Sequence, residues 1–426
     1  MGVNTVFATD NGSMGDLSAN LETQNTVSDI SAINPSYDVT NDNALKKDTS
    51  TDNITQKNTN KYNNINNKQK QEETNNTIKT TTNTINTNTK TTGTGNFEEL
   101  EKAINDTNRG ETLNLTGNYT RNGEEYLTGI TINRTITING DGFTIDGMNN
   151  GRIFQINTDG NLTLNNMTLT KGTTTNTDCG AIYNNGGTLT INNCTLTNNT
   201  ANSLGGAIYN TGGTINITNS ILTHNNATGR GSGGDGGAIY NTGNGVLCVV
   251  GSVFLNNTAG SGSAVYKLYG GVVLDGNWWG INDPTSSWGN LLSGIGTPGS
   301  YVVMDFINSS KYDRVSVDMF VCSYLNGTKI QVDLPLRTVQ FSTEINNGTF
   351  NLNSTNFTGN ATTKYTGNTG ILKANIDNEN LKYKLYNPDS FTHLEDLINS
   401  TLNNSILKLE GNFTRDNNET GYTDGI

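Results

Sequence analysis

The chain is poor in the residues that acid–base, redox or metal chemistry draws on. Its 426 residues include 2 His and 4 Cys. His224 stands where Asn198 and Asn256 stand in other repeats and reads as a turn substitution, and His393 has no Ser or Cys constellation nearby, so a catalytic triad has no support. Cys179, Cys194, Cys248 and Cys322 lack C-x-x-C spacing and are widely scattered, which excludes a zinc motif and a dense disulfide framework. No apolar run reaches the ~18 residues of a membrane span, so no membrane insertion is expected. Met1–Asn11 lacks a basic start and a long apolar stretch, so no signal peptide or anchor is read in this chain. Lys and Arg number 26 against 38 Asp and Glu, and the pI near 4.7 argues against nucleic acid, which calls for basic patches. Hydrophobic residues make up 32%, below the roughly 45–50% of compact domains on a count that also includes Gly. Several thick cores cannot be filled from this composition.

What the chain has in quantity is Asn and Thr, 72 and 66 residues, about a third of the whole. Asn-x-Ser/Thr sequons number about two dozen, against roughly fifteen from composition alone. The excess points to a secreted, glycosylated surface, with plain Asn/Thr abundance as the simpler source. Residues 1–95 are low in complexity, and Asn53–Thr94 is almost wholly Asn, Thr, Lys and Gln. Such a stretch buries too little apolar area to offset an ordering entropy of ~1–2 kcal/mol per residue. It is expected to be a disordered spacer, with β-type self-association of the Asn/Gln tract as the alternative.

Order begins at Asn96. Asn96 and Glu99 read as a capping box, with Phe97, Leu100 and Ile104 on one face of a helix ending near Asp106. Leu113/Leu115, Ile130/Ile132, Ile136/Ile138 and Phe143/Ile145 then alternate with polar residues between Gly or Asn turns, as short half-buried strands do. From there the chain repeats. Gly180-Ala-Ile-Tyr-Asn184 recurs at Gly206–Asn210 and Gly237–Asn241, with a degraded copy at Ser263–Lys267. Each of the first three copies precedes a second strand (Thr188–Ile191, Thr214–Ile217, Val246–Val249) and a third piece (Cys194–Ala201, Ser220–Ala227, Ser252–Ala259). A unit of about 26 residues with three short strands cannot bury its apolar face alone, so the units must stack as a solenoid. About seven coils at ~4.8 Å each are expected, with side-chain ladders of Asn at the turns.

The motifs Gly-Gly-Ala-Ile-Tyr-Asn and Asn-Asn-Thr-Ala, with Phe254-Leu-Asn-Asn257, resemble the GGAI and F-x-x-N repeats of polymorphic outer-membrane proteins. With Asn277-Trp-Trp-Gly280, they are most similar to the adhesin-like proteins of methanogenic archaea. The resemblance implies a right-handed parallel β-helix, a pectin lyase-like fold, over 96–285, followed by an Ig-like β-sandwich over 300–386. Strand-like segments Tyr301–Phe306, Arg314–Leu325, Lys329–Leu334, Val339–Phe341, Gly348–Phe350 and Gly370–Ile376 independently point to a sandwich. Cys322 has no obvious partner in it. Residues 387–426 repeat the start of the first module at a constant offset, Ser390-Phe391 matching Asn96-Phe97 and Gly411–Arg415 matching Gly117–Arg121. They are expected to open a second, truncated β-helix. The fold class is therefore all-β with one short N-terminal capping helix.

Polysaccharide lyases and glycosidases also use parallel β-helices. Glycoside hydrolysis needs two carboxyl groups ~5–10 Å apart, and none of Asp159, Asp178, Asp235 and Asp275 stands one coil from another. Arg152, Lys171, Arg230 and Lys267 are equally scattered. No catalytic, cofactor or metal residue is assigned, and a non-enzymatic protein is expected. Gly229-Arg-Gly-Ser-Gly-Gly234 matches a phosphate-binding pattern but lies between coils with no helix after it. It does lengthen its coil, and Arg230 and Asp235 on that loop are candidate ligand contacts. Tyr183, Tyr209, Tyr240 and Tyr266 recur once per coil; with the neighbouring aliphatics inward, alternation turns them outward as a column that stacks on sugars or stiffens the ladder. Trp278 and Trp279 are expected to cap the open core. The resulting expectation is a surface-displayed or extracellular adhesin-like protein that binds glycans or surface proteins of host or neighbouring cells. A structural cell-envelope spacer and a polysaccharide-modifying enzyme are the alternatives.

Overall fold

The computed structural model describes residues 95–385 apart from 124–126, 175–177, 230–233, 309–315, 326–330, 345–347 and 368–369, together with Leu394, Glu395 and Ile398. The expected spacer over 1–95, save Gly95, and nearly all of the expected second β-helix over 387–426 lie outside the described residues. Among the described residues no helix is long and apolar enough to cross a membrane.

Helix α1, Phe97–Asp106, starts as its sequence directs. Asn96 Oδ1 accepts from the Glu99 backbone N–H at 2.9 Å, and Glu99 accepts from the Asn96 N–H at 3.1 Å, which satisfies two orphan donors of the first turn. Phe97, Leu100 and Ile104 are buried and close one end of the solenoid core.

The chain then winds as a parallel β-helix with three seven-stranded parallel sheets. The first sheet runs from Ile130–Ile132 through Phe154–Ile156, Ile182–Asn185, Ile208–Thr211, Ile239–Thr242 and Val265–Lys267 to Leu292–Ser293, so it continues past residue 285. The second runs from Thr112–Asn114 to Gly271–Val273, and the third from Gly95–Asn96 to Val253–Leu255. A short fourth sheet joins Thr173–Thr174, Thr200–Ala201 and Asn226–Ala227. Register keeps like on like: Ile182, Ile208, Ile239 and Val265 form one inward column, and Leu196, Leu222 and Phe254 another. These apolar side chains are buried, filling a core one coil wide.

Asparagine works in two places. Inside, Asn184 donates to Asn210 at 2.9 Å and Asn210 to Asn241 at 2.7 Å, all three fully buried. A second inner ladder links Asn199, Asn225 and Asn257 at 2.9 and 3.0 Å. Outside, Asn192, Asn165, Asn139 and Asn114 are chained along the second sheet. Other asparagines take the left-handed turn conformation, among them Asn166, Asn193, Asn198 and Asn256 at φ of 51° to 55°, where Asn is among the few non-Gly residues at ease. The Gly-Gly pair of each repeat has a distinct cause. Gly205 sits at φ 66°, and a Cβ on Gly206 would fall 2.1 Å from the Gly237 carbonyl oxygen of the next coil.

The far end of the core is closed by one of the two expected tryptophans. Trp279 stacks on Phe254 (4.8 Å, 9°) and meets the edge of Trp288 (5.1 Å, 89°). Trp278 is fully buried but turns the other way, because strand alternation reverses successive side chains. Its indole N–H donates to Asp377 of the following domain at 2.6 Å.

That domain is a two-layer antiparallel sandwich. One sheet orders Val302–Asn308, Ser316–Leu325, Asn360–Thr366 and Thr349–Phe350; the other orders Ser354–Phe357, Arg337–Thr343, Gly370–Ile376 and Glu379–Leu385. Contacts such as Phe306–Phe341 at 5.9 Å join the sheets. Cys322 is buried and unpaired. The strand expected over Lys329–Leu334 is reduced, within its described part, to a single bridge between Gln331 and Tyr324. Three strands that the sequence did not announce, Ser354–Phe357, Asn360–Thr366 and Glu379–Leu385, carry small or polar residues at many of their positions.

Candidate functional site

The tyrosine column forms. Tyr183, Tyr209, Tyr240 and Tyr266 are in direct register, with centroids 5.5, 5.2 and 5.0 Å apart and interplanar angles falling from 33° to 18° to 4°. The coil spacing dictates this distance, since each coil advances by one strand separation, close to the optimum for stacked rings. Three of the tyrosines are half-buried and Tyr240 is buried. Ring faces are therefore engaged with one another, and the column presents ring edges and phenol oxygens.

The column is capped at its first ring by Arg152, whose guanidinium lies 4.9 Å over the Tyr183 ring. Arg152 is itself buried and donates to the Asp178 carbonyl at 2.9 Å and the Thr128 carbonyl at 3.3 Å. It stands where Gly180 and Gly206 stand in later coils, a substitution visible once the repeat is aligned through Ile153 and Ala181. Acids flank the rings. Asp235 pairs with Leu204 and Ser261 of adjacent coils, and the next coil inward, at Cys179 opposite Gly205, brings Asp178 level with Leu204. Asp178 and Asp235 are thus two coils apart, ~10 Å along the column. Burial, and then the negative charge of Asp178, push the Tyr209 phenol up to about 12. Burial, the neighbouring phenols and both acids push Tyr240 up to about 12. Cys179, beneath the column, is raised to about 11 chiefly by burial, which leaves it an unreactive thiol.

Of the six expected ligand contacts, the four tyrosines and Asp235 come together on one flank of the first sheet. Arg230 lies outside the described residues. His224 occupies the turn position of Asn198 and Asn256, at φ 53°, hydrogen-bonded through Nδ1 to Thr223 at 2.8 Å and through Nε2 to Asn256 at 3.4 Å. Asp146, in the coils, pairs with Lys171 at 2.9 Å. Among the described residues no group of three or more His, Cys, Asp or Glu is placed to hold a metal ion.

The junction with the sandwich is a second cluster that spacing gave no sign of. Asp377 accepts from Trp278 and from Arg337, the latter at 2.9 Å, and Arg337 lies 5.8 Å over the Trp278 ring. Asn282 exchanges two hydrogen bonds with the Met304 backbone at 2.6 and 2.7 Å, and its own backbone N–H donates to the Glu379 carboxylate at 2.6 Å. Burial drives the Arg337 guanidinium down to about 10 while Asp377 opposes the shift. No family model, curated protein or solved structure matches this chain.

Proposed function

We propose that this protein is a non-catalytic, adhesin-like protein, secreted or displayed at a cell surface, that binds glycans or proteins of host or neighbouring cells. The tyrosine column carries the reading: a rigid row of phenol edges at one-coil spacing, flanked by Asp178 and Asp235, repeats one hydrogen-bonding pattern along a face. A repeated polymer can match such a row at several coils at once, which multiplies weak contacts. Because the ring faces are spent on each other, recognition here uses phenol hydroxyls and acids more than stacking. The resemblance of the repeats to archaeal adhesin-like proteins supports the surface setting. The sandwich supports an Ig-like module, since its first, second and sixth strands share one sheet and its third, seventh and eighth the other. The test is a glycan-array and cell-binding screen of the whole chain against a Tyr209→Ser/Tyr240→Ser variant whose folding is checked by circular dichroism. Binding lost in the folded variant supports the column; binding unchanged removes it.

The locked junction favours a second reading, a structural cell-envelope spacer. In that case the screen finds no partner at all. Release of unsaturated or reducing sugars from pectin-like polymers would instead establish an enzyme.

A further inference from the structure

The outward face of the second sheet, from Thr112–Asn114 to Gly271–Val273, carries no charged side chain on any of its seven strands. The chain as a whole has a net charge of −12, and charged residues ordinarily populate exposed positions. Acids flank this face at turns of its first three coils, at Glu111, Asp141 and Asp159. At the last coil Asp275 is taken up by the Gly299 and Ser300 N–H groups at 2.7 and 3.2 Å.

Register stacks the outward side chains into three columns along the rod. The centre column begins with Thr112, Thr137, Thr163 and Thr190 and ends with Cys248 and Val273. The columns beside it change in the same way, from Thr214 to Val246 and from Thr218 to Val250. The last two coils are therefore apolar outside as well as inside. Val246 is 36% and Val273 50% exposed, and Leu268 and Tyr269, on the turn before the last strand, are 46% and 63% exposed. Earlier coils fold with Thr and Asn at these outward positions, so the core does not require the change. A cluster of exposed apolar residues that interrupts a polar face marks a contact surface.

We propose that this face mates with the same face of a second copy of the chain, two rods lying side by side. Two acidic chains approach most easily through a neutral face, because like charges brought together across an interface are costly. Columns of like side chains at one strand spacing also suit sheet-to-sheet pairing, the ridges of one face entering the grooves of the other. Five residues by seven strands measure roughly 17 by 34 Å. Two such faces bury roughly 1,100 Å², above the ~1,000 Å² that a specific interface needs. The two-fold axis runs along the rods, so each coil lies beside its own copy. Val246, Val250 and Val273 then meet their counterparts, whereas antiparallel rods would set them against Thr and Asn. The centre column lies nearest the axis, which places Cys248 opposite Cys248 of the second copy. Packed sheets stand ~10 Å apart, beyond the ~4.4–6.8 Å between the Cα atoms of a disulfide, so these thiols are neighbours without being bonded. Nothing in this arrangement depends on what the tyrosine column binds.

Sedimentation equilibrium of the whole chain is expected to show a dimer of the 45.7 kDa protomer with a micromolar Kd. Val246→Lys/Val273→Lys changes two exposed positions and leaves the inner columns intact. It sets an unpaired charge in the mated face and should raise Kd about tenfold or more, with folding checked by circular dichroism. A short bis-maleimide should join two wild-type chains through Cys248, since Cys179, Cys194 and Cys322 are buried. Cys248→Ser should remove that cross-link and leave the dimer. A chain that stays monomeric at ~100 µM overturns the proposal. So does a Kd unchanged in the folded double-lysine variant, which would put the contact elsewhere, as in the Asn/Gln tract before residue 95. A dimer that the lysines loosen but no reagent joins through Cys248 overturns the parallel arrangement.

Discussion

Replacing Asn210 with alanine tests whether the inner asparagine ladder holds the coils together. Asn210 donates to the Gly213 carbonyl at 2.9 Å and to Asn241 at 2.7 Å, and accepts from Asn184 at 2.9 Å. After truncation the Gly213 carbonyl keeps the Val246 N–H, and Asn184 keeps the Gly187 carbonyl. One N–H of Asn184 and the Asn241 side-chain oxygen are left without partners in a fully buried site. At ~1–3 kcal/mol for each stranded buried group, the loss is about 2–6 kcal/mol before any cavity is counted. Asn192, in the outer ladder, makes similar bonds to Asn165 and Thr218 but is half-buried. Water replaces its partners, so Asn192→Ala costs under ~1 kcal/mol. Urea unfolding followed by circular dichroism compares the two variants in one host. Equal midpoints for Asn210→Ala and Asn192→Ala refute the argument that burial, not laddering itself, sets the contribution.

Three further outcomes are expected. Gly206→Ala would drive a Cβ to 2.1 Å from the Gly237 carbonyl oxygen, so it should abolish soluble folded protein, whereas Gly212→Ala, with nothing within 4 Å of the added carbon, should cost only its φ of 79°, ~1–2 kcal/mol by thermal melting. Asp377→Ala strips the buried Arg337 of its partner and should cost ~3–5 kcal/mol, read as new protease cleavage between the β-helix and the sandwich and a lowered melting temperature. The phenols of Tyr209 and Tyr240 are held up to about 12 against an ordinary 10. The unfolded chain therefore releases these protons first, so their contribution to stability is complete below pH 10 and is lost as pH rises toward 12. Phenolate absorbance and unfolding, followed together, should rise in that window; tyrosines that titrate fully near 10 without loss of structure would contradict the burial argument.

The repeat was legible because a stacked coil must place the same residue type at the same point of every turn. The period therefore exposed the inward Ile and Leu columns and the tyrosine column, while the capping helix at Asn96 was legible from its capping box and helical spacing. The sequon excess was legible as a pattern but ambiguous in cause. Asn166, Asn193, Asn198 and Asn256 are sequon asparagines that also occupy left-handed turns, so turn geometry alone selects Asn there, two residues before a Thr. The sandwich was read less completely, since strands such as Asn360–Thr366 bury Ala, Thr and Tyr rather than an aliphatic stripe.

Residue order alone thus determined a stacked all-β rod, its coil number and which residues form columns, because those follow from local periodicity. Only the tertiary structure decided which asparagine ladders are dry, that the tyrosine faces are spent on one another, and that Trp278 and Trp279 divide between two tasks. It alone brought Asp377 and Asn378 to the end of the β-helix, about a hundred residues along the chain from the tryptophans. Those contacts depend on where two separately folded faces meet, and no period within either one encodes that meeting.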